Sequence, residues 1–330
     1  MITWPHRDSD WAPMLEDVTQ TFLAISKEIL RREKLLALVP PGLDITSFFT
    51  EEEQKNLIRV EVPSNDTWAR DHGPITLFRD GSPVVADFGF NGWGLKFAAD
   101  KDNLINGQLF RKGIFHPSAI YQNRLNLILE GGSLESDGEG TLLTTSACLL
   151  APNRNQPMTR QEIEAALKEM LGLTRVLWLN HGYLAGDDTD SHIDTLARFC
   201  DPYTIAYVKC DDVADEHFES LCAMEQELRA FTTVTGDPYR LIPLPMSDAV
   251  YSEGERLPAT YANFLILNNA VLIPFYGTDK DEMALRQLQL AFPDREVIGV
   301  DCSPLIRQHG SLHCVTMQLP KGILAISCHS

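Results

Sequence analysis

Five short segments of this chain share one plan, and their recurrence limits the fold more than any other feature of the sequence. In each, a polar turn bearing Gly or Asn runs directly into an apolar strand. The segments are Ala69-Arg70-Asp71-His72-Gly73-Pro74-Ile75-Thr76-Leu77-Phe78, Leu129-Glu130-Gly131-Gly132-Ser133-Leu134, Ser191-His192-Ile193-Asp194-Thr195-Leu196-Ala197-Arg198-Phe199, Tyr261-Ala262-Asn263-Phe264-Leu265-Ile266 and Gly310-Ser311-Leu312-His313-Cys314-Val315. Their starts recur roughly every fifty to seventy residues, as degenerate copies of one supersecondary unit do. Helical patterns fill several of the intervals. Trp11 to Leu38 carries Leu15, Val18, Phe22, Ile25 and Ile29 at helical spacing, which predicts one long helix with a single apolar stripe. Thr159 to Leu171 and Asp279 to Phe292 each open with a capping-box pair, Thr159 with Glu162 and Asp279 with Glu282, and Pro293 marks the end of the second. A fourth helix is expected over Asp212 to Ala230, burying Phe218, Leu221, Cys222 and Leu228. Helices between strand units imply a mixed α/β fold. Units standing round a common axis would bring their polar turns together there.

Those turns carry an unusual set of side chains: Asp71, Glu130, His192, Asp194 and Cys314, with Trp68 and Arg70 flanking the first. Residues two apart on a strand share a face, so His192 and Asp194 are expected to enter one cavity with Ile193 turned away. Cys314, followed by Val315, is expected at a strand's edge. The set suits attack on a guanidinium, which is planar, cationic and resonance-stabilised. Carboxylates fix its plane through paired N–H groups, each charge-assisted bond contributing roughly 1.5–3 kcal/mol. A thiolate then attacks the central carbon, stabilised by protonated His192 or by the substrate's own cation. The same imidazole can protonate departing ammonia and later activate water. Each residue also has a structural reading: Asp71 and Arg70 as an ion pair, Glu130 as a solvent-facing acid at a strand end, His192 and Asp194 as a pair supporting the fold, and Trp68 as core.

Length leaves open two domains or one repeated architecture, since the chain has 330 residues. Its formal net charge of −18 repels phosphate backbones, which argues against nucleic acid and favours a small cationic partner. No segment approaches the roughly eighteen apolar residues of a membrane span, and the N-terminus shows no charged leader followed by an apolar run, so a cytoplasmic protein is expected. Seven cysteines, at 148, 200, 210, 222, 302, 314 and 328, form no C-x-x-C pair, which fits a reducing compartment and offers no close ligand pair for zinc. The chemistry asks for no metal or organic cofactor.

With these residues in view, the chain resembles the agmatine deiminases, grouped with the bacterial peptidylarginine deiminases in the guanidino-group-modifying superfamily. The likeness runs through Trp4-Pro5-His6, Asn65-Asp66-Thr67-Trp68-Ala69-Arg70-Asp71-His72-Gly73-Pro74, Phe90-Asn91-Gly92-Trp93-Gly94, Leu129-Glu130-Gly131-Gly132-Ser133, Asp188-Thr189-Asp190-Ser191-His192-Ile193-Asp194, Tyr261-Ala262-Asn263-Phe264 and His313-Cys314. The resemblance implies a five-bladed α/β propeller, residues 1–330 forming one catalytic domain of ββαβ-like repeats. It implies Cys314 as nucleophile, His192 as general acid and base, Asp71 and Asp194 as the carboxylates gripping the guanidinium, Glu130 as a further pocket acid and Trp68 as an aromatic wall. Asp187, Asp188 and Asp190 are expected near the substrate's distal amine. The implied reaction converts agmatine to N-carbamoylputrescine and ammonia through a Cys thiouronium, in putrescine and polyamine synthesis, and the resemblance makes a homodimer an expectation. Deimination of free or peptidyl arginine, amidino transfer, and guanidine binding without turnover are the alternatives. Two departures stand near the site: Gln308-His309-Gly310-Ser311 replaces the usual glycine run with Asn, and Ser191 replaces a common Gly.

Overall fold

The computed structural model describes residues 1–325, so Cys328 lies outside the described residues. Its strands form five three-stranded sheets and one small hairpin, Tyr251–Ser252 with Glu255–Arg256. Four of the sheets repeat one connectivity: a first strand antiparallel to the second, and a third parallel to the second after a helical crossover. They are Ile75–Arg79 with Ser82–Gly89 and Ile120–Ile128; Glu135–Ser136 with Thr141–Thr145 and Arg175–Leu179; Ala197–Asp201 with Thr204–Lys209 and Arg240–Pro245; and Leu265–Leu267 with Ala270–Phe275 and Glu296–Asp301. Parallel pairing forces the crossovers, because a tight turn cannot reverse the chain twice. The helices Ile105–Arg111, Arg160–Leu171, Phe218–Ala230 and Asp281–Ala291 supply them.

The remaining sheet is assembled from both ends of the chain. Ile2–Thr3, Leu35–Val39 and Leu57–Glu61 run parallel, and Thr316 bridges Ile2 in the antiparallel sense. Met1 and Met317 exchange both main-chain hydrogen bonds: Met317 N donates to Met1 O at 2.9 Å, and the Met1 amino group donates to Met317 O at 2.7 Å. Thus the C-terminal segment takes the place of the first strand found in the other four sheets.

Central strands are buried on both faces, as parallel sheets covered by helices require. Leu35–Val39 is buried throughout, and Thr204–Lys209 and Ala270–Phe275 are buried except at their last residue. This explains one departure from expectation. The expected helix over Trp11 to Leu38 is Leu15–Leu30, burying Val18, Phe22, Ile25 and Ile29, after which Leu35–Val39 becomes a strand. A continuous apolar run satisfies helical and buried-strand patterns alike, and pairing with Leu57–Glu61 decides between them. The helix expected from Asp212 begins at Phe218. The capping box at Thr159 and Glu162 is present. The one at Asp279 is not: Lys280 is the N-cap, and the Asp281 carboxylate instead accepts from the Tyr276 and Gly277 amides and the Tyr261 hydroxyl. Among the described residues no helix is long and apolar enough to cross a membrane.

Candidate active site

The five recurring segments keep a common place in the sheets. The first four lead into Ile75–Arg79, Glu135–Ser136, Ala197–Asp201 and Leu265–Leu267. The fifth, expected to be a strand, turns over residues 312–315 and pairs only at Thr316, so Cys314 lies in a turn and not at a strand edge. His192 and Asp194 also depart from expectation: Ile193–Thr195 is a single 3₁₀ turn with His192 at its N-cap, so no strand alternation aims the two side chains. Asp190 and Ser191 precede it at φ 69° and 66°. A left-handed Ser191 accounts for the resemblance to a position where Gly is common.

The first, third and fifth of these turns contribute to the wall of a cavity of about 190 Å³, in which Trp68, Asp71, His192, Cys314, Asp187, Asp188, Gln308 and His309 stand; Glu130, Asp194 and Asn263 do not line it. Asp71 is buried and held from two sides: the Gly132 amide donates to its Oδ1 at 2.8 Å and the Trp93 indole to its Oδ2 at 3.0 Å. His192 Nδ1 stands 3.6 Å from Asp71 Oδ1. A Cβ on Gly132 would lie 2.5 Å from that imidazole nitrogen, so only glycine admits this approach. Arg70 does not pair with Asp71; its main chain donates to Cys314 O at 3.0 Å, and its guanidinium reaches Met317 and Gln318.

Around the thiol, Asp194 Oδ2 is 3.9 Å from Cys314 Sγ and accepts from His313 Nδ1 at 2.7 Å, while its Oδ1 is buried with no partner among the described residues. Asn263 Oδ1 gathers the Cys314 turn: it accepts from the His313 amide at 2.8 Å and the Cys314 amide at 3.3 Å, and lies 3.4 Å from Cys314 Sγ. Asn263 and Trp93 stood in recognisable motifs, but nothing in their spacing gave them a role. Trp68 is buried, donates to Asp66 Oδ2 at 3.1 Å and lines the cavity. A Cβ on Gly310 would fall 2.1 Å from its ring, which sets how closely the approach loop packs on it.

The other acids separate by what they touch. Glu130 is buried rather than solvent-facing; its Oε1 accepts from Arg154 Nε at 2.8 Å, and its Oε2 has no partner among the described residues. Arg154 also donates to Asp190 Oδ2 at 2.7 Å, and Lys96 to Asp190 Oδ1 at 2.9 Å, so Asp190 is neutralised by two cations and does not line the cavity. Asp187 lines it but is taken up by Thr189 and Ser191. Asp188 lines the cavity with no hydrogen bond to its carboxylate among the described residues. Cys148, absent from the sequence-based site, brings its Sγ within 4.8 Å of ligand atoms of Glu130 and His192, a trio of metal-binding chemistry that no sequence spacing displays.

Burial and charge set the protonation states. Burial lowers the His192 pKa, but Asp71, Cys148 and Glu130 outweigh it and hold the imidazole protonated well above its ordinary range. Burial, then Asp194 and Asp71, push the Cys314 thiol well above its usual value. Asp194 is pushed up to about 7, chiefly by burial, and Asp188 to about 6 by burial and Asp187. Burial, Asp194 and Asp71 therefore favour the neutral Cys314 thiol.

The Porphyromonas-type peptidyl-arginine deiminase family model matches residues 1–320. The chain belongs to this family, and it is accordingly a hydrolase of C–N bonds in amidines. It is 32% identical to a Shewanella sp. (strain MR-7) protein named "Putative agmatine deiminase", over 97% of this chain and 91% of that one. Among solved structures, the "Putative Arginine Deiminase from Porphyromonas gingivalis" is 56% identical, with a TM-score of 0.94 over 98% of this chain and 95% of that one. A C. jejuni agmatine deiminase, a Cys-to-Ser variant with substrate bound, is 41% identical, with a TM-score of 0.87 over 96% and 91%. These structures share the mixed α/β fold described above.

Proposed function

We propose that the protein hydrolyses agmatine to N-carbamoylputrescine and ammonia, with Cys314 as nucleophile. The observation that carries the substrate is the cavity's charge: Asp10, Asp66, Asp71, Asp187 and Asp188 line it, and no Lys or Arg does among the described residues. A guanidinium with a cationic tail suits such walls, whereas the carboxylate of free arginine would need a basic partner. The volume, about 190 Å³, lies below the roughly 300–1,000 Å³ of drug-sized pockets, which favours a small linear cation over a peptide. The C. jejuni agmatine deiminase with substrate bound supports the same substrate.

In this reading Asp71 and Asp194 take the guanidinium N–H groups and fix its plane. The bound cation offsets their charge, the Cys314 proton passes to solvent water, and the thiolate attacks the central carbon. His192, already protonated, gives its proton to the departing nitrogen, ammonia leaves, and the carbon remains on sulfur as a thiouronium. Neutral His192 then takes a proton from water as the water attacks that carbon; the C–S bond breaks as the remaining hydroxyl proton passes to the departing Cys314 sulfur, restoring the thiol and leaving a ureido product. Glu130 stabilises the imidazolium, and Trp68 walls the substrate. Residues 1–330 act as one catalytic domain, its five sheets being blades of a propeller; the shared connectivity and the Met1–Met317 closure support that arrangement.

Ammonia release from agmatine, free arginine and an arginine-containing peptide tests the reading. Turnover of agmatine by the wild type, lost in Cys314→Ala, is expected, and mass spectrometry of quenched enzyme should show the adduct on Cys314. Preference for arginine, or undiminished activity in the variant, would overturn it.

A further inference from the structure

His309 stands in the wall of the same cavity as Asp188, on the loop that leads to the nucleophile. Its φ of 64° is left-handed, a conformation uncommon outside glycine in which His, with Asn and Asp, is among the more frequent side chains. What holds the ring is a 2.7 Å contact between its Nδ1 and the Gly186 carbonyl. A carbonyl only accepts, so Nδ1 carries the hydrogen, and the neutral ring has its lone pair at Nε2. Among the described residues Nε2 has no hydrogen-bond partner. Gly186 packs closely on the Arg256 main chain, since a Cβ there would lie 2.3 Å from Arg256 O. The acceptor that orients the imidazole is therefore part of a close-packed wall.

We propose that His309 is a specificity-determining residue: its Nε2 and the Asp188 carboxylate together accept hydrogen bonds from a primary ammonium at the tail of the substrate. This rests on the agmatine reading above and deepens it. A primary ammonium has three N–H donors and can satisfy both acceptors at once. A tail lacking N–H donors satisfies neither and leaves two polar groups desolvated, which is the more discriminating error. Asp187 and Asp190 cannot substitute for this pair, because the first is bonded to Thr189 and Ser191 and the second to Arg154 and Lys96.

The test compares agmatine with butylguanidine, which keeps the guanidinium and alkyl chain but lacks the amine. His309→Gly suits the left-handed backbone and removes the acceptor, while His309→Gln restores an acceptor; a thermal melt confirms that each folds. In the Gly variant kcat/KM for agmatine should fall about tenfold or more, mainly through KM, with butylguanidine within about twofold of wild type. The Gln variant should recover part of the preference. A wild type that prefers agmatine, with the same preference in the Gly variant or an equal loss on both compounds, would overturn this inference alone. A wild type with no preference for agmatine would overturn the substrate reading and this inference with it.

Discussion

Replacing Asn263 with Ala should cost both stability and rate, because one amide side chain holds the turn that presents Cys314, the proposed nucleophile. Asn263 is fully buried, its Oδ1 accepts from the Cys314 amide at 3.3 Å, and its Nδ2 donates to the Asp194 carbonyl at 3.2 Å. His313 would keep a second bond to the Asn263 main-chain oxygen at 3.2 Å, so two groups, the Cys314 amide and the Asp194 carbonyl, bear the loss. Each buried group left unpaired costs about 1–3 kcal/mol, or about 2–6 kcal/mol together. Unfolding entropy of about 2.1 cal/mol/K per residue over 330 residues is about 0.7 kcal/mol/K, which converts that loss to about 3–9 °C in Tm. Displacing Sγ by an ångström typically costs about a hundredfold in rate. Calorimetry and steady-state ammonia release measure both on the same preparation. A variant melting within about 1 °C of wild type with kcat within about threefold would refute the reasoning.

Iodoacetamide labelling of Cys314, mapped by mass spectrometry because the half-buried Cys200 and Cys222 can also react, should be slow at neutral pH and rise as pH is raised. The sign follows from burial and the carboxylates, which disfavour the thiolate; Asp71→Asn should speed labelling at neutral pH, and an unchanged rate would refute the electrostatic account. Gly132→Ala should lower kcat by about a hundredfold or more, since the new Cβ would stand 2.5 Å from His192 Nδ1 and 2.7 Å from Asp71 Oδ1. Near-wild-type kcat would show that the wall yields.

The residue types that can act on a guanidinium were legible in the chain itself, because Asp71, Glu130, His192 and Asp194 lie in turns that recur at the entry to a strand and Cys314 in a turn of the same pattern that ends at the Thr316 bridge. That placement depends on local pattern, and local pattern survives in sequence. The helix stripes of Leu15–Leu30 and Arg160–Leu171 were legible for the same reason. The end of the first helix was not: Leu35–Val39 is apolar in any conformation, and its partner strand Leu57–Glu61 lies 22 residues on.

What only the tertiary structure decided is which of these groups touch. Three neighbouring acids, Asp187, Asp188 and Asp190, are alike in sequence, yet one is spent on its own loop, one is neutralised by Arg154 and Lys96, and Asp188 alone faces the cavity with no hydrogen bond to its carboxylate among the described residues. Asn263 and Trp93 gain their roles from partners 51 and 22 residues away, and Cys148 from folding behind His192. The sequence alone determined the chemistry available, since that depends on which side chains exist and on their local pattern. Their protonation and pairing belong to the fold, because burial and charge are properties of neighbours that the chain acquires only when its distant turns are brought together.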